Sequence, residues 1–537
     1  MPSDPGTTST INMRRVYNAA HDLLQPNLDA GRGEKTAFID DRGATSYREL
    51  DERSSSFAHA LGDMGISMEQ RILLCLHDSA DFPIVFLGAI KAGVVPVAVN
   101  TLLSAGDYEY MLDDSRARIA IVSAPLLPLF APLLGKLPCL QRILVSGAAD
   151  AANTCAGVET LAPHFSSSAR SFPVAPTRAD DICFWLYSSG STGLPKATVH
   201  AHGSLMQTAQ LYALPLLGLT ESDVVFSAAK LFFAYGLGNG LSFPLAAGAT
   251  TVLMAERPTP AAVFKRLRDH RPTVFYGVPT LYAALLASAD LPPAAALALR
   301  RCTSAGEALP ANIAQRWLQH FGVDILDGIG STEMLHIFLS NRPDDVRYGT
   351  TGKAVAGYRL RIVDDDGRQV DDGQSGELQI AGPTAAIMYW SDRDRSRRTF
   401  VGEWTRSGDK YHVDPDGYYI YEGRTDDMLK VGGIYVSPAE VEASLITHPA
   451  VLEAAVVGKE DENKLVKPIA FVVLRTGQRA SVALAEELRH HVKTALAPFK
   501  YPRWIEFVDE LPKTATGKIQ RFKLRALTAA AGNADIR

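Results

Sequence analysis

At 537 residues the chain is too long for one ordinary hydrophobic core and implies two or more domains. Hydrophobic residues make up 47% and charged residues 21%, the balance of a globular protein in water, with a formal net charge of −5. That charge, without any long basic run, argues against tight nucleic-acid binding and against attachment to an anionic membrane surface.

The first ten residues are polar and lack the charged-then-apolar order of a signal peptide, and no apolar run of about 18 residues is present to span a bilayer. Cys75, Cys139, Cys155, Cys183 and Cys302 lie far apart with no CxxC pair, which points to reduced thiols in a cytoplasmic protein. Apolar runs at 71–76, 94–99, 117–123, 181–188, 250–255, 273–278 and 323–327 read as buried strands. Helical patterns at 81–92 and 260–270 fall between them. This alternation implies layered α/β architecture with largely parallel sheets. His200 and His202 bracket a single residue, too little to specify a metal centre.

The 181–188 strand runs into Tyr187-Ser188-Ser189-Gly190-Ser191-Thr192-Gly193-Leu194-Pro195-Lys196. Glycines let the backbone approach a ligand, hydroxyls add donors and the lysine adds a charge suited to phosphate. The spacing is not that of a Walker A loop, and a plain Ser/Gly surface loop is the alternative. Ser304-Ala305-Gly306-Glu307 is a second small-residue turn after an apolar run. A third cluster, Asp327-Gly328-Ile329-Gly330-Ser331-Thr332-Glu333, again follows a strand. Ligands gather at the carboxyl ends of strands in open α/β sheets, so these loops are placed to share one site. Glu333 offers oxygen to a hard cation such as magnesium, although Thr-Glu after a turn also reads as a helix cap.

After about Val355 the pattern changes. Strand-like runs at 358–363 and 376–380, with turn chemistry at 364–367 and 371–373, predict a small β-rich subdomain. From Asp427 the chain reads as a compact α+β unit with helices at 438–446 and 484–495 and strands at 454–458 and 468–474. The alanine-rich tail after Arg525 is expected to fray.

Five segments, in chain order, resemble the adenylate-forming acyl-CoA synthetase (AMP-binding) family. They are the Ser/Thr/Gly loop ending in Pro195-Lys196, Ser331-Thr332-Glu333, Arg406-Ser407-Gly408-Asp409, Gly423-Arg424-Thr425-Asp426-Asp427 and Pro512-Lys513-Thr514-Ala515-Thr516-Gly517-Lys518. The resemblance implies an α/β domain over 1–425 and a mobile α+β lid over 426–537, hinged at Asp426. It implies that Ser188, Ser189, Gly190, Ser191, Thr192, Gly193 and Lys196 hold the ATP phosphates. Gly306, Glu307, Asp327, Gly328, Ile329, Gly330 and Ser331 line the adenine pocket, Asp409 and Arg424 bind the ribose, and Glu333 binds Mg2+. Lys518, with Thr332 and Glu333, carries the adenylation step. A rotation then brings Lys430, Gly432 and Gly433 to coenzyme A, although the two glycines equally suit an ordinary turn. Ile329 departs from the tyrosine that many family members stack on adenine.

The stretch 327–338 resembles that of benzoate- and hydroxybenzoate-CoA ligases in particular, and Lys230–Gly238 occupies the place of the family's gate motif. No aspartate there pairs with an ammonium group, which disfavours an amino acid substrate. Ala228, Phe233, Tyr235, Gly330, His336 and Ile337 are expected around a small aromatic carboxylate; plain core packing is the other reading of this cluster, and His336 is either a partner of a ring substituent or a satisfied core histidine. Competing expectations are a medium-chain or arylalkanoate-CoA ligase and a stand-alone adenylation enzyme that loads a carrier protein. Ring substituents and oligomeric state, a homodimer among the options, are not fixed by the sequence.

Overall fold

A computed structural model describes residues 16–147, 156–166, 171–188, 195–425, 427–431, 434–461, 465–496, 500–513 and 519–531. The seven expected strands all form, and the helices form as Asp81–Lys91 and Pro260–Asp269.

They assemble into two large sheets. One has eight strands in the spatial order Met388–Tyr389, Lys196–Ala201, Ile182–Ser188, Val95–Ala98, Arg71–Cys75, Ile119–Ser123, Arg142–Ser146, Val158–Thr160. The other has nine, running from Lys353–Ala354 through Ile337–Ser340, Ile325–Gly330, Arg301–Ser304, Val274–Gly277, Val224–Ser227, Thr250–Val252 and Thr36–Asp40 to Gly43–Ser46. Both are parallel in their centres and turn antiparallel where the Ser/Thr/Gly loop and the Thr-Glu turn occur. Every residue of helix Asp81–Lys91 is buried. A helix that is apolar all round belongs inside a protein rather than at its surface. Its neighbour Tyr47–Asp63 starts at a capping box in which Ser46 and Glu49 satisfy each other's backbone N–H groups.

The β-rich subdomain is a five-stranded antiparallel sheet that includes Arg359–Val363, Gly376–Ala381, Trp404–Val413 and Tyr419–Arg424. The α+β unit carries the sheet Val451–Glu460, Val466–Leu474, Trp504–Phe507, with helices Pro438–Ile446 and Val482–Ala495 against it.

Two expectations need correction. Among the described residues the chain does not fray at Arg525: helix Arg521–Ala531 continues past it, with Leu524 buried and Arg521 and Arg525 both paired with Asp427. Asp327–Gly330 does not follow its strand but lies within it, since Ile325–Gly330 is prolonged by antiparallel pairing with Ile337–Ser340.

Candidate active site

The strands that end in Ser188 and begin at Lys196 belong to one large sheet, and the strand that leads into the Thr-Glu turn belongs to the other. Their ends meet. Lys196 Nζ lies 2.8 Å from Glu333 Oε1, and both side chains are mostly buried. The Tyr389 hydroxyl accepts from Lys196 Nζ at 2.8 Å and donates to Glu333 Oε1 at 2.7 Å. Burial opposes ionisation at Glu333, but the Lys196 charge and the hydrogen bonds from Lys196 and Tyr389 outweigh it and hold the carboxyl down at about 2. The helix-cap reading of Thr332-Glu333 fails, because residues 331–336 form a turn between antiparallel strands. Within that turn Ser331 Oγ accepts from Met334 N at 3.1 Å.

His200 fixes the turn from the opposite sheet. Burial drives its imidazole down to about 4, so it is neutral and Nε2–H donates to Thr332 O at 2.8 Å. His202 has a different partner, Nδ1 accepting from Ala19 N at 3.2 Å, so the two histidines do not converge on one point.

Asp409 and Arg424 face each other in register on adjacent strands, with Arg424 Nη1 3.1 Å from Asp409 Oδ1. Gly408, just before Asp409, has φ +71°, a left-handed backbone that favours glycine, and a Cβ there would lie 2.8 Å from Arg424 Nη2. Asp327 is buried, burial pushes its carboxyl up, and Oδ1 has no hydrogen-bond partner among the described residues. Ser188 Oγ is likewise buried without a partner among them. Gly306, with φ +100°, and Glu307 follow the strand Arg301–Ser304. Ile329 packs, half-buried, against the core that holds Leu326 and Ile337.

The expected acid pocket straddles three hydrophobic cores: Ala228 packs in one, Phe233 against a second, and Tyr235 and Ile337 in a third. His336 joins them. Its ring centre lies 4.4 Å from that of Phe243, 5.4 Å from Tyr235 and 5.5 Å from Tyr212. Its Nε2 is 3.1 Å from Asn239 Oδ1, and burial drives the imidazole down to about 3. Gly238 makes room for it, since a Cβ there would lie 2.4 Å from His336 Cδ2. Phe233 precedes the short helix Ala234–Leu237, whose backbone widens into a π-turn over Gly238–Ser242, an irregularity frequent at functional sites.

Ser189, Gly190, Ser191, Thr192, Gly193, Asp426, Gly432, Gly433 and Lys518 lie outside the described residues, as does the side chain of Lys430 in the strand Leu429–Val431. Tyr389 and Asn239 were missed by sequence reasoning, and His200 was weighed only as a metal ligand, not as the partner of Thr332 O. Each sits in an apolar stretch without motif chemistry, and only the pairing of distant segments brings it to the site.

Among the described residues no helix is long and apolar enough to cross a membrane. The family description AMP-binding enzyme matches residues 27–390, and AMP-binding enzyme C-terminal domain matches residues 440–518. A benzoate–CoA ligase of Thauera aromatica is 63% identical over 97% of this chain and 98% of that protein. A 4-hydroxybenzoate–CoA/benzoate–CoA ligase of Rhodopseudomonas palustris is 50% identical over 96% and 95%. The crystal structure of a benzoate CoA ligase from Burkholderia xenovorans LB400 superposes with a TM-score of 0.89 at 55% identity, covering 95% of this chain and all of that one. With both parts matched in order and relatives aligned from end to end, the chain belongs to the AMP-binding enzyme family.

Proposed function

We propose that the protein is an AMP-forming aryl-CoA ligase that joins benzoate or a substituted benzoate to coenzyme A at the cost of ATP. The observation that carries this reading is the 63% identity with a benzoate–CoA ligase across nearly the whole of both chains. Supporting it, aromatic rings gather at the gate segment, Phe232 against Phe233 and Tyr235 against His336, a setting suited to a flat apolar ring.

The reaction has two steps. A carboxylate oxygen attacks the α-phosphorus of ATP, the bond to pyrophosphate breaks, and an aroyl-adenylate forms. The thiolate of coenzyme A then attacks the acyl carbon and AMP leaves with the electron pair. The first step brings two anions together, so it needs cationic charge and positioning more than acid–base groups. Ser188, the loop 189–193 and Lys196 hold the β- and γ-phosphates. Gly306, Glu307 and Asp327–Ser331 line the adenine pocket, and Asp409 and Arg424 hold the ribose. Lys518 supplies a mobile point charge between carboxylate and α-phosphate.

Glu333 fits Mg2+: Lys196 and Tyr389 hold its carboxyl ionised, and a carboxylate oxygen is the hard donor that Mg2+ prefers. Bound there, the ion would neutralise charge on the phosphates. A lid over 426–537 turns about Asp426 after the first step, withdrawing Lys518 and bringing Lys430, Gly432 and Gly433 to the pantetheine arm.

The test is turnover of a carboxylate panel with Mg-ATP, with and without coenzyme A, following pyrophosphate and acyl-CoA. Benzoates should lead and acyl-CoA should require coenzyme A. Preferential use of hexanoate would contradict the pocket assignment, and pyrophosphate release with no acyl-CoA would contradict the acceptor.

A further inference from the structure

We propose that Tyr389 is a positioning residue of the nucleotide site, the fixed partner against which Lys196 and Glu333 exchange each other for bound Mg-ATP. The assignment rests on the function proposed above and goes beyond it, since none of the five family-like segments contains this tyrosine.

The starting point is that Lys196 and Glu333 satisfy each other at 2.8 Å. Two groups so paired are not free to take a phosphate and a cation, and the pair must open when ATP enters. Opening it in a mostly buried site leaves two charges without partners, which is strongly unfavourable. The Tyr389 hydroxyl is bonded to both groups, as acceptor from Lys196 and as donor to Glu333. Its ring also lies beneath the ammonium, 4.4 Å from Nζ to the ring centre. Each charged group therefore keeps one protein partner while the ion pair separates.

A guide must itself be immobile, and Tyr389 is. It is 2% exposed, its ring lies 5.3 Å from that of Phe400, and its backbone N–H donates to Ser396 Oγ at 2.9 Å. Its segment pairs with the Lys196–Ala201 strand through Ile387 N–H to Val199 O at 2.8 Å and Trp390 N–H to Ala197 O at 2.9 Å. The same segment holds the Thr-Glu turn through Ala386 N–H to Glu333 O at 2.7 Å and Thr384 Oγ to Met334 O at 2.8 Å. Residues 384–390 thus stitch the Lys196–Ala201 strand of one sheet to the Thr-Glu turn of the other, with the tyrosine hydroxyl at the seam.

Tyr389→Phe removes the hydroxyl and keeps the ring, its packing and its contact with the ammonium. The experiment measures, for wild type and Y389F, calorimetric binding of Mg-α,β-methylene-ATP, thermal melting, pyrophosphate exchange with benzoate, and thioester formation from supplied benzoyl-adenylate and coenzyme A. The expected result is about tenfold weaker analogue binding and at least tenfold slower exchange, from loss of hydrogen bonds to charged groups. Melting should be nearly unchanged and thioester formation should stay within twofold, because pyrophosphate has already left. Unchanged analogue affinity would overturn the assignment. Equal losses in both half-reactions with a lowered melting temperature would overturn it too, by marking a structural role. If wild-type protein binds the analogue but makes no benzoyl-CoA, the proposed function fails while the affinity comparison still decides the role of Tyr389.

Discussion

The two ends of the candidate site deal with buried polar groups in opposite ways. At the nucleotide end charge is kept and paired: Lys196, Glu333 and Tyr389 form a closed triangle and the Glu333 carboxyl is held at about 2. At the acid end charge is removed: burial drives His336 to about 3, and it sits neutral among Tyr212, Tyr235 and Phe243. The first environment suits phosphates and a cation, and the second suits a flat apolar ring. On the function proposed above, an aromatic acid would lie with its carboxylate toward the first environment and its ring toward the second.

The comparison can be broken first at its charged end. Lys518→Ala should slow adenylation by about 3–4 kcal/mol of barrier, the scale for one preorganised transition-state donor. Thioester formation from supplied aroyl-adenylate should persist, and rapid-quench kinetics of the two half-reactions would separate them. A loss confined to the second half-reaction would put the lysine in the wrong step.

Three buried histidines, of which only His336 lies at the acid end, predict a pH dependence of stability. His200, His202 and His336 stay neutral in the folded protein down to about 4, 4 and 3, all through burial. Exposed histidine in the unfolded chain takes its proton near 6.5. Between those values the unfolded state binds more protons, so this stability is complete above about pH 6.5 and declines as pH falls toward 4. Each histidine contributes at most about 1.4 kcal/mol per pH unit. Urea titrations of His336→Gln should show a shallower decline than wild type across that window, and parallel curves would remove His336 from the account.

Smaller effects sharpen the contrast. Gly408→Ala forces a side chain into a left-handed backbone and against Arg424, at a cost of about 1–2 kcal/mol. It should weaken ATP binding while leaving the KM for benzoate unchanged, as initial-rate kinetics would show. Ile329→Tyr should act in the other direction, adding a ring to stack on adenine and tightening ATP binding by about 0.5–1.5 kcal/mol, measurable by calorimetry.

The difference between the two ends also explains what the sequence made legible. Close backbone approach and phosphate charge demand particular residues at fixed spacing, so Lys196, Glu333, Asp409 and Arg424 stood out, and the structure pairs the first two and the last two. The core strands were readable for a similar reason, because burial on both faces leaves continuous apolar runs such as Ile119–Ser123. Tyr389 and His200 were not readable: each acts through a partner more than 50 residues away, and nothing local distinguishes a tyrosine before Trp390 from a core residue. Asn239 was hidden the same way, lying in the π-turn 97 residues from His336. The boundary of Ile325–Gly330 was misjudged because its extension depends on a return strand, whereas the glycines at 328 and 330 suggest a loop by themselves.

On the function proposed above, the two ends cooperate on one molecule of aromatic acid through an adenylate. The most direct measurement is a single-turnover quench of enzyme with Mg-ATP and labelled benzoate in the absence of coenzyme A, followed by a chase with coenzyme A. The account predicts about one equivalent of enzyme-bound benzoyl-adenylate with matching pyrophosphate, converted to benzoyl-CoA and AMP in the chase. Benzoyl-CoA that appears only when all three substrates are mixed together, with no adenylate trapped beforehand, would contradict it.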